Sequence, residues 1–214
     1  EALQNGEYDL TVLYIQGKPG IGKSTLARDI ALEVQSALDN AGLKGSSYSA
    51  SSKNPFDNYA GEEILILDDL REDSLSATDW LKLFDPVNSA RMSARYRNKL
   101  VVPRLVIMSA YMSPKQFFGK IETEDINQYL RRVNYSSEIA RKHGMEERFY
   151  SVSKVRENKA NGHYQRSDGT SVVLNFDYED LFSVQDKGAF ITKLLDEYIY
   201  PRILPKKIKD VTND

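Results

Sequence analysis

Short runs of apolar residues alternate along this chain with stretches in which apolar positions recur four apart. Leu10 to Gln16 is an apolar, β-branched run ending at Gly17, and it predicts a buried strand. From Ser24 to Leu38 the residues Leu26, Ile30, Val34 and Leu38 give the spacing of an amphipathic helix, closed by Asn40-Ala41-Gly42. Lys44 to Asn58 is rich in Ser, Asn, Pro and Gly, with room for a short strand near Tyr48. Glu63 to Leu67 predicts a second buried strand, closed by Asp68 and Asp69. Ser76 or Thr78 is placed to cap a helix running through Trp80, Leu81, Leu83 and Phe84. Alternating character over Arg91 to Val102, around Arg97-Asn98-Lys99, predicts a β-hairpin. Arg104 to Ser109 predicts a third buried strand, and Pro114 to Gly119 and Glu124 to Arg132 predict short helices.

After Val133 the pattern changes. Arg148 to Val155 and Val172 to Phe176 predict strands around a polar loop that contains Asn161-Gly162 and Ser167-Asp168-Gly169. Gly188 to Tyr200 predicts a terminal helix, stopped by Pro201. The chain divides on this reading into a core over 1–133 and a C-terminal extension over 134–214 packed on it, with a loose tail over 205–214. Alternating strands and helices argue for an α/β fold with a mainly parallel central sheet flanked by helices.

Composition narrows the class. With 214 residues, 41% hydrophobic and 28% charged, the chain has the makeup of an ordinary globular domain. No apolar run approaches the length of a membrane span, so no membrane role is expected. No secretory signal is visible and the chain opens without Met, as a processed product or an excised part of a longer protein would. The absence of cysteine removes disulfides and thiolate metal sites, and fits a cytoplasmic setting. A net charge of −2 gives no global attraction to nucleic acid.

The chemistry sits in a few places. Gly17-Lys18-Pro19-Gly20-Ile21-Gly22-Lys23-Ser24, followed by Thr25, fits G-x-x-x-x-G-K-[ST] between the first strand and the first helix. Glycines let the backbone curl so that its N–H groups converge on phosphate oxygens, and the helix adds its positive end. Lys23 is expected to reach the β- and γ-phosphates of ATP, and Ser24 to place its hydroxyl on Mg2+. Asp68, at the end of the second strand, is the candidate for holding Mg2+, and Asp69 for polarising the attacking water. Alone, two acids at a strand end are as readily a solvated turn.

From Pro86 to Ile121 there is no Asp or Glu, while Arg91, Arg95, Arg97, Lys99, Arg104, Lys115 and Lys120 fall in the same window. Arg95-Tyr96-Arg97-Asn98-Lys99 joins phosphate-binding cations to a ring able to stack on a base. The bland alternative is a solvated hairpin.

Taken in order, these segments resemble superfamily 3 helicases, an AAA+-like group. They are most similar to the helicase part of Rep initiators from rolling-circle plasmids and small circular single-stranded DNA viruses. GKPGIGKST is similar to motif A, ILILDDL to motif B, WLKLFDPVNSARMSARYRNKL to motif B′, RLVIMSAYMSP to motif C and YLRRV to the segment with the arginine finger. The resemblance implies a ring, usually a hexamer, with ATP at subunit interfaces, Arg131 or Arg132 reaching a neighbour's site, and the basic hairpin tracking single-stranded DNA. Motif C usually ends in an Asn that senses the γ-phosphate. Ala110 falls in that place here, so either Ser109 substitutes or the alignment slips by one residue. Full-length Rep proteins also carry an N-terminal nicking endonuclease domain with a His-hydrophobic-His metal site. His143 and His163 lie far apart, so that domain is expected outside this chain. The implied setting is the bacterial cytoplasm for a plasmid protein, or the host nucleus for a viral one. A P-loop enzyme of another kind, such as a small-molecule kinase, is the competing reading.

Overall fold

Val12 to Ile15, apolar on both sides of the chain, form the centre of a strand that parallel neighbours flank on either side, and burial of both faces is why the run does not alternate. The computed structural model describes residues 8–50, 55–85, 90–92, 99–141, 146–166 and 168–205. In chain order the elements are β1 (Thr11–Gly17), α1 (Lys23–Asn40), β2 (Ser47–Ala50), β3 (Ile64–Asp68), α2 (Ala77–Leu83), β4 (Ala90–Met92), β5 (Lys99–Val101) and β6 (Leu105–Ala110). Then follow α3 (Pro114–Phe118), α4 (Ile126–Leu130), β7 (Tyr135–Arg141), β8 (Arg148–Gln165), β9 (Ser171–Val184), α5 (Lys187–Leu194), a π-helical turn (Leu195–Ile199) and α6 (Tyr200–Ile203). One seven-stranded sheet has the order β2-β3-β6-β1-β7-β8-β9, and β4 and β5 form a separate antiparallel pair. Pairing is parallel from β2 through β7 and antiparallel from β7 through β9.

Successive β1 side chains enter two different cores. Leu13 and Ile15 pack with Leu26, Ile30, Val34 and Leu38 of α1 and with Phe190, Leu194 and Ile199 near the C-terminus. Val12 and Tyr14 join an aromatic cluster with Trp80, Phe84, Phe117, Phe118 and Tyr129. Phe118 and Tyr129 stack at 5.0 Å, while Trp80 meets Phe117 edge-on. Ser76 caps α2 by accepting from the Asp79 N–H, which decides the choice between Ser76 and Thr78. Ser113 and Gln116 form a capping box on α3.

Several elements depart from the expectation. β7 carries no sequence signal because Ser136, Ser137 and Glu138 interrupt it, yet both serines are buried. Small hydroxyl side chains fill the pleat where the β-strand pattern calls for apolar ones. The sheet therefore runs without a break across position 133. Asn161-Gly162 lies inside β8, where a bulge between Glu157 and Gly162 absorbs it, and β8 runs on until Gln165 pairs with Ser171 of β9. Its far end folds back over α3 so closely that a Cβ on Gly119 would stand 2.4 Å from the Tyr164 ring. Pro201 does not stop the terminal helix. The chain widens into the π-helical turn just before it, and Pro201 takes a first-turn place in α6, where its missing N–H leaves no bond unmade.

The hairpin expected over Arg91 to Val102 is present as β4 and β5. Arg95, Tyr96, Arg97 and Asn98 lie outside the described residues, as does the tail after 205. The wider basic window is less free than its sequence suggests. Arg104 is buried and donates to Glu63 at 3.0 Å and to the Ile203 carbonyl at 3.0 Å, with its guanidinium 3.9 Å over the Tyr8 ring. Lys115 pairs with Asp177 and Lys120 with Glu72. What remains of the patch is the hairpin itself.

Candidate nucleotide-binding site

The carboxyl ends of β1, β3 and β6 meet at one edge of the sheet, where a strand-order reversal opens a crevice. β1 delivers Gly17 there, and the loop runs on to α1. Gly20 and Gly22 hold φ of 71° and 108°, in the region that side chains with a Cβ avoid. No side chain caps α1 and its first turn holds no acid, so its N–H groups and positive end face the loop. Lys23 is 8% exposed, and its Nζ donates to the carbonyls of Gly17 at 2.9 Å and Lys18 at 3.2 Å. The amine thus lies inside the loop's curl. Lys18, Pro19 and Gly20 are exposed at the rim, Ile21 is buried beneath it, and Thr25 faces solvent. Beside the loop opens a cavity of about 450 Å³.

Across from the loop, the Ser24 hydroxyl donates to Asp68 Oδ1 at 2.9 Å, and the Ser109 hydroxyl donates to the same oxygen at 2.6 Å. Asp69 follows with φ of 53°, the single non-glycine residue among those described with positive φ. Its N–H points back to β6, donating to the Ser109 carbonyl at 3.2 Å and hydroxyl at 3.3 Å. This bend turns the exposed Asp69 carboxylate away from the line of β3.

Register settles which motif C residue faces the loop. Asp68 is level with Ser109. Ser109 shares a face with Leu105 and Ile107, which pack toward α1, while Ala110 shares the opposite face with Val106 and Met108. Side chains alternate along a strand, so a slip of one residue would put the polar group in the aromatic core.

Arg131 and Arg132 do not join this group. They follow α4 at the other edge of the sheet, where Asn134 exchanges two hydrogen bonds with Val12 near the start of β1. From there to Gly17 the strand rises by about 16 Å. Arg131 is exposed, whereas Arg132 is half-buried and curls back to donate to the Gln128 carbonyl at 2.6 Å. Burial, and then the charge of Arg131, lower the Arg132 pKa. Lys99 sits in β5.

One cation near the loop carried no motif. Arg148, the first residue of β8, places its guanidinium against Gly22: a Cβ there would stand 3.1 Å from Nη1. Only its place two strands from β1 in the sheet, not any local spacing, brings it there.

A glycine-rich loop between a buried strand and an uncapped helix, with a lysine in its curl and a Ser–Asp pair across from it, defines a P-loop NTPase fold. Residues 13–112 match the RNA helicase family. The Replication protein of Onion yellows phytoplasma (strain OY-M) is 35% identical over 134 residues, covering 61% of this chain and 33% of that protein. The chain thus spans about a third of the length of the curated relative it matches. The solved structure of the N-terminal domain of zonular occludens toxin from Neisseria meningitidis aligns over 79% of this chain and 95% of its own, at 14% identity and a TM-score of 0.34. Over residues 13–112 the chain is thus similar to helicase-family proteins, and over 134 residues to a replication protein.

Proposed function

We propose that the chain is the ATP- and Mg2+-dependent motor of a replication initiator, moving along single-stranded DNA as a hexameric ring during rolling-circle replication. The observation that carries this is the joint placement of Lys23, Ser24, Asp68 and Ser109 around one crevice, in a domain similar in sequence to a phytoplasma replication protein.

In this reading Lys23 and the loop N–H groups hold the β- and γ-phosphates of ATP. Ser24 and Asp68 offer hard oxygen ligands 2.9 Å apart, the kind of donor set Mg2+ takes when nucleotide phosphates and water complete its shell. Bound there, Mg2+ would neutralise developing phosphate charge. Ser109 fixes the Asp68 carboxylate, and Asp69 orients the attacking water. Arg131, exposed at the sheet edge remote from its own loop, is better placed than Arg132 to enter a neighbour's site. Arg95, Tyr96, Arg97, Asn98 and Lys99 grip the DNA backbone, with salt-dependent and largely sequence-independent contacts. A nicking endonuclease domain in the same longer protein would supply the strand end.

ATP turnover by wild type and Lys23→Ala, with and without single-stranded DNA, tests the reading. DNA-stimulated turnover lost in the variant is expected; turnover indifferent to DNA refutes the motor role and favours another P-loop enzyme. A second reading takes RNA as the track, favoured by the family description. Stimulation by single-stranded RNA in place of DNA in the same assay would establish it.

A further inference from the structure

Arg141 closes β7 and Arg148 opens β8, and the two are directly paired across the antiparallel strands. Opposed residues in such a pair project to the same face, here that of Ile139 and Tyr150, which pack toward α1. Two guanidinium groups so placed repel, and like charges directly opposite destabilise a sheet. Neither has an ion-pair or hydrogen-bond partner among the described residues, and both are exposed. Their surroundings add positive potential. Arg148 lies against Gly22, next to Lys23 and the uncapped end of α1, while nearby Lys187 is paired with Asp29 at 2.6 Å. Arg141 lines the cavity beside the loop, together with Gly17, Lys18 and Gly20. The one acid in that lining, Glu138, forms no ion pair with it. A concentration of exposed cations at a phosphate-binding loop raises the local positive potential and favours the binding of a polyanion.

Resting on the nucleotide-binding reading above, we propose that Arg148, with Arg141 opposite it, clamps the phosphate chain of the nucleotide bound by its own subunit. The strand pair β7–β8 would then hold the nucleotide from the side opposite Asp68. The arrangement gives each subunit a cis arginine pair in addition to any arginine received from a neighbour. Because the guanidinium is planar and forked, it can bind two phosphate oxygens through two parallel N–H donors held in a fixed geometry, which a lysine lacks.

Binding of ADP and of a non-hydrolysable ATP analogue to the full chain, measured by titration calorimetry, tests this. Arg148→Ala should weaken both by about tenfold or more, the loss of one charge-assisted contact. Arg148→Lys should recover part of the loss, and Arg141→Ala should weaken binding in the same sense. The ligand-free thermal midpoint of Arg148→Ala should equal or exceed that of wild type, since a repulsive exposed charge has been removed. Affinity indistinguishable from wild type overturns the clamp, as does a fall in ligand-free midpoint that accounts for the affinity loss. If wild type itself fails to bind, or Lys23→Ala binds as tightly as wild type, the nucleotide site is at fault and not the clamp.

Discussion

Replacing Ser109 with alanine, and separately Ala110 with asparagine, tests whether register assigns the motif C position correctly. The Ser109 hydroxyl is almost fully buried and joins Asp68 to the N–H of Asp69. Its removal takes one hydrogen bond from a carboxylate that keeps a second donor, Ser24. A bond to a half-exposed charged group implies a loss of about 1–2 kcal/mol. For a chain of this size that corresponds to a drop of about 2–8 °C in the thermal midpoint. Turnover should fall further, on the order of a hundredfold, because the Asp68 carboxylate and the Asp69 bend lose their common tether. Ala110→Asn restores the residue expected from the resemblance but sends its amide to the face opposite Ser109, where Ala110 is buried and lines a small cavity with Leu70, Met112 and Lys120. Overpacking at that position costs about 1–3 kcal/mol, and an amide on the face away from Asp68 and Ser24 gains no catalysis. Differential scanning calorimetry and steady-state ATP turnover on the two variants give the answer. Higher turnover in Ala110→Asn, with Ser109→Ala close to wild type, would refute the register argument.

Asp69→Asn should leave the thermal midpoint nearly unchanged, because Asn also tolerates the left-handed bend, while turnover falls at least about a hundredfold with the loss of the base; equal turnover would remove Asp69 from the chemistry. Arg104→Met should destabilise the chain by about 2–4 kcal/mol by stranding Glu63 and releasing α6, yet leave single-stranded DNA affinity intact, whereas Arg97→Ala should do the reverse. Equal effects of the two on DNA binding, read by fluorescence anisotropy, would return Arg104 to the basic patch. Burial pushes the phenols of Tyr59 and Tyr129 up to about 12 from 10.0. The unfolded chain loses these protons first, so stability is fully present below about pH 10 and falls as pH rises toward about 12, and alkaline unfolding should coincide with tyrosinate absorbance. Tyrosines that titrate freely before unfolding would contradict that burial.

The order of residues along the chain determined a good deal. The apolar runs at β1, β3 and β6 were legible because a strand covered on both faces needs no alternation, and the loop from Gly17 to Ser24 was legible because its glycines, lysine and hydroxyl serve one local geometry. Long-range placement was not legible. β7 was hidden because its buried serines read as polar, and its place beside β1 depends on pairing between distant segments. Arg104 looked like part of a basic surface until the fold brought Glu63 and Ile203 to it. Ser109 and Ala110 could not be ranked by sequence, since only the sheet's two faces distinguish neighbours on a strand. Arg148 had no motif at all, because its nearness to Gly22 is made entirely by the order in which the strands assemble. Local backbone chemistry is written in consecutive residues, whereas the pairing of charges across a sheet exists only once the chain has closed.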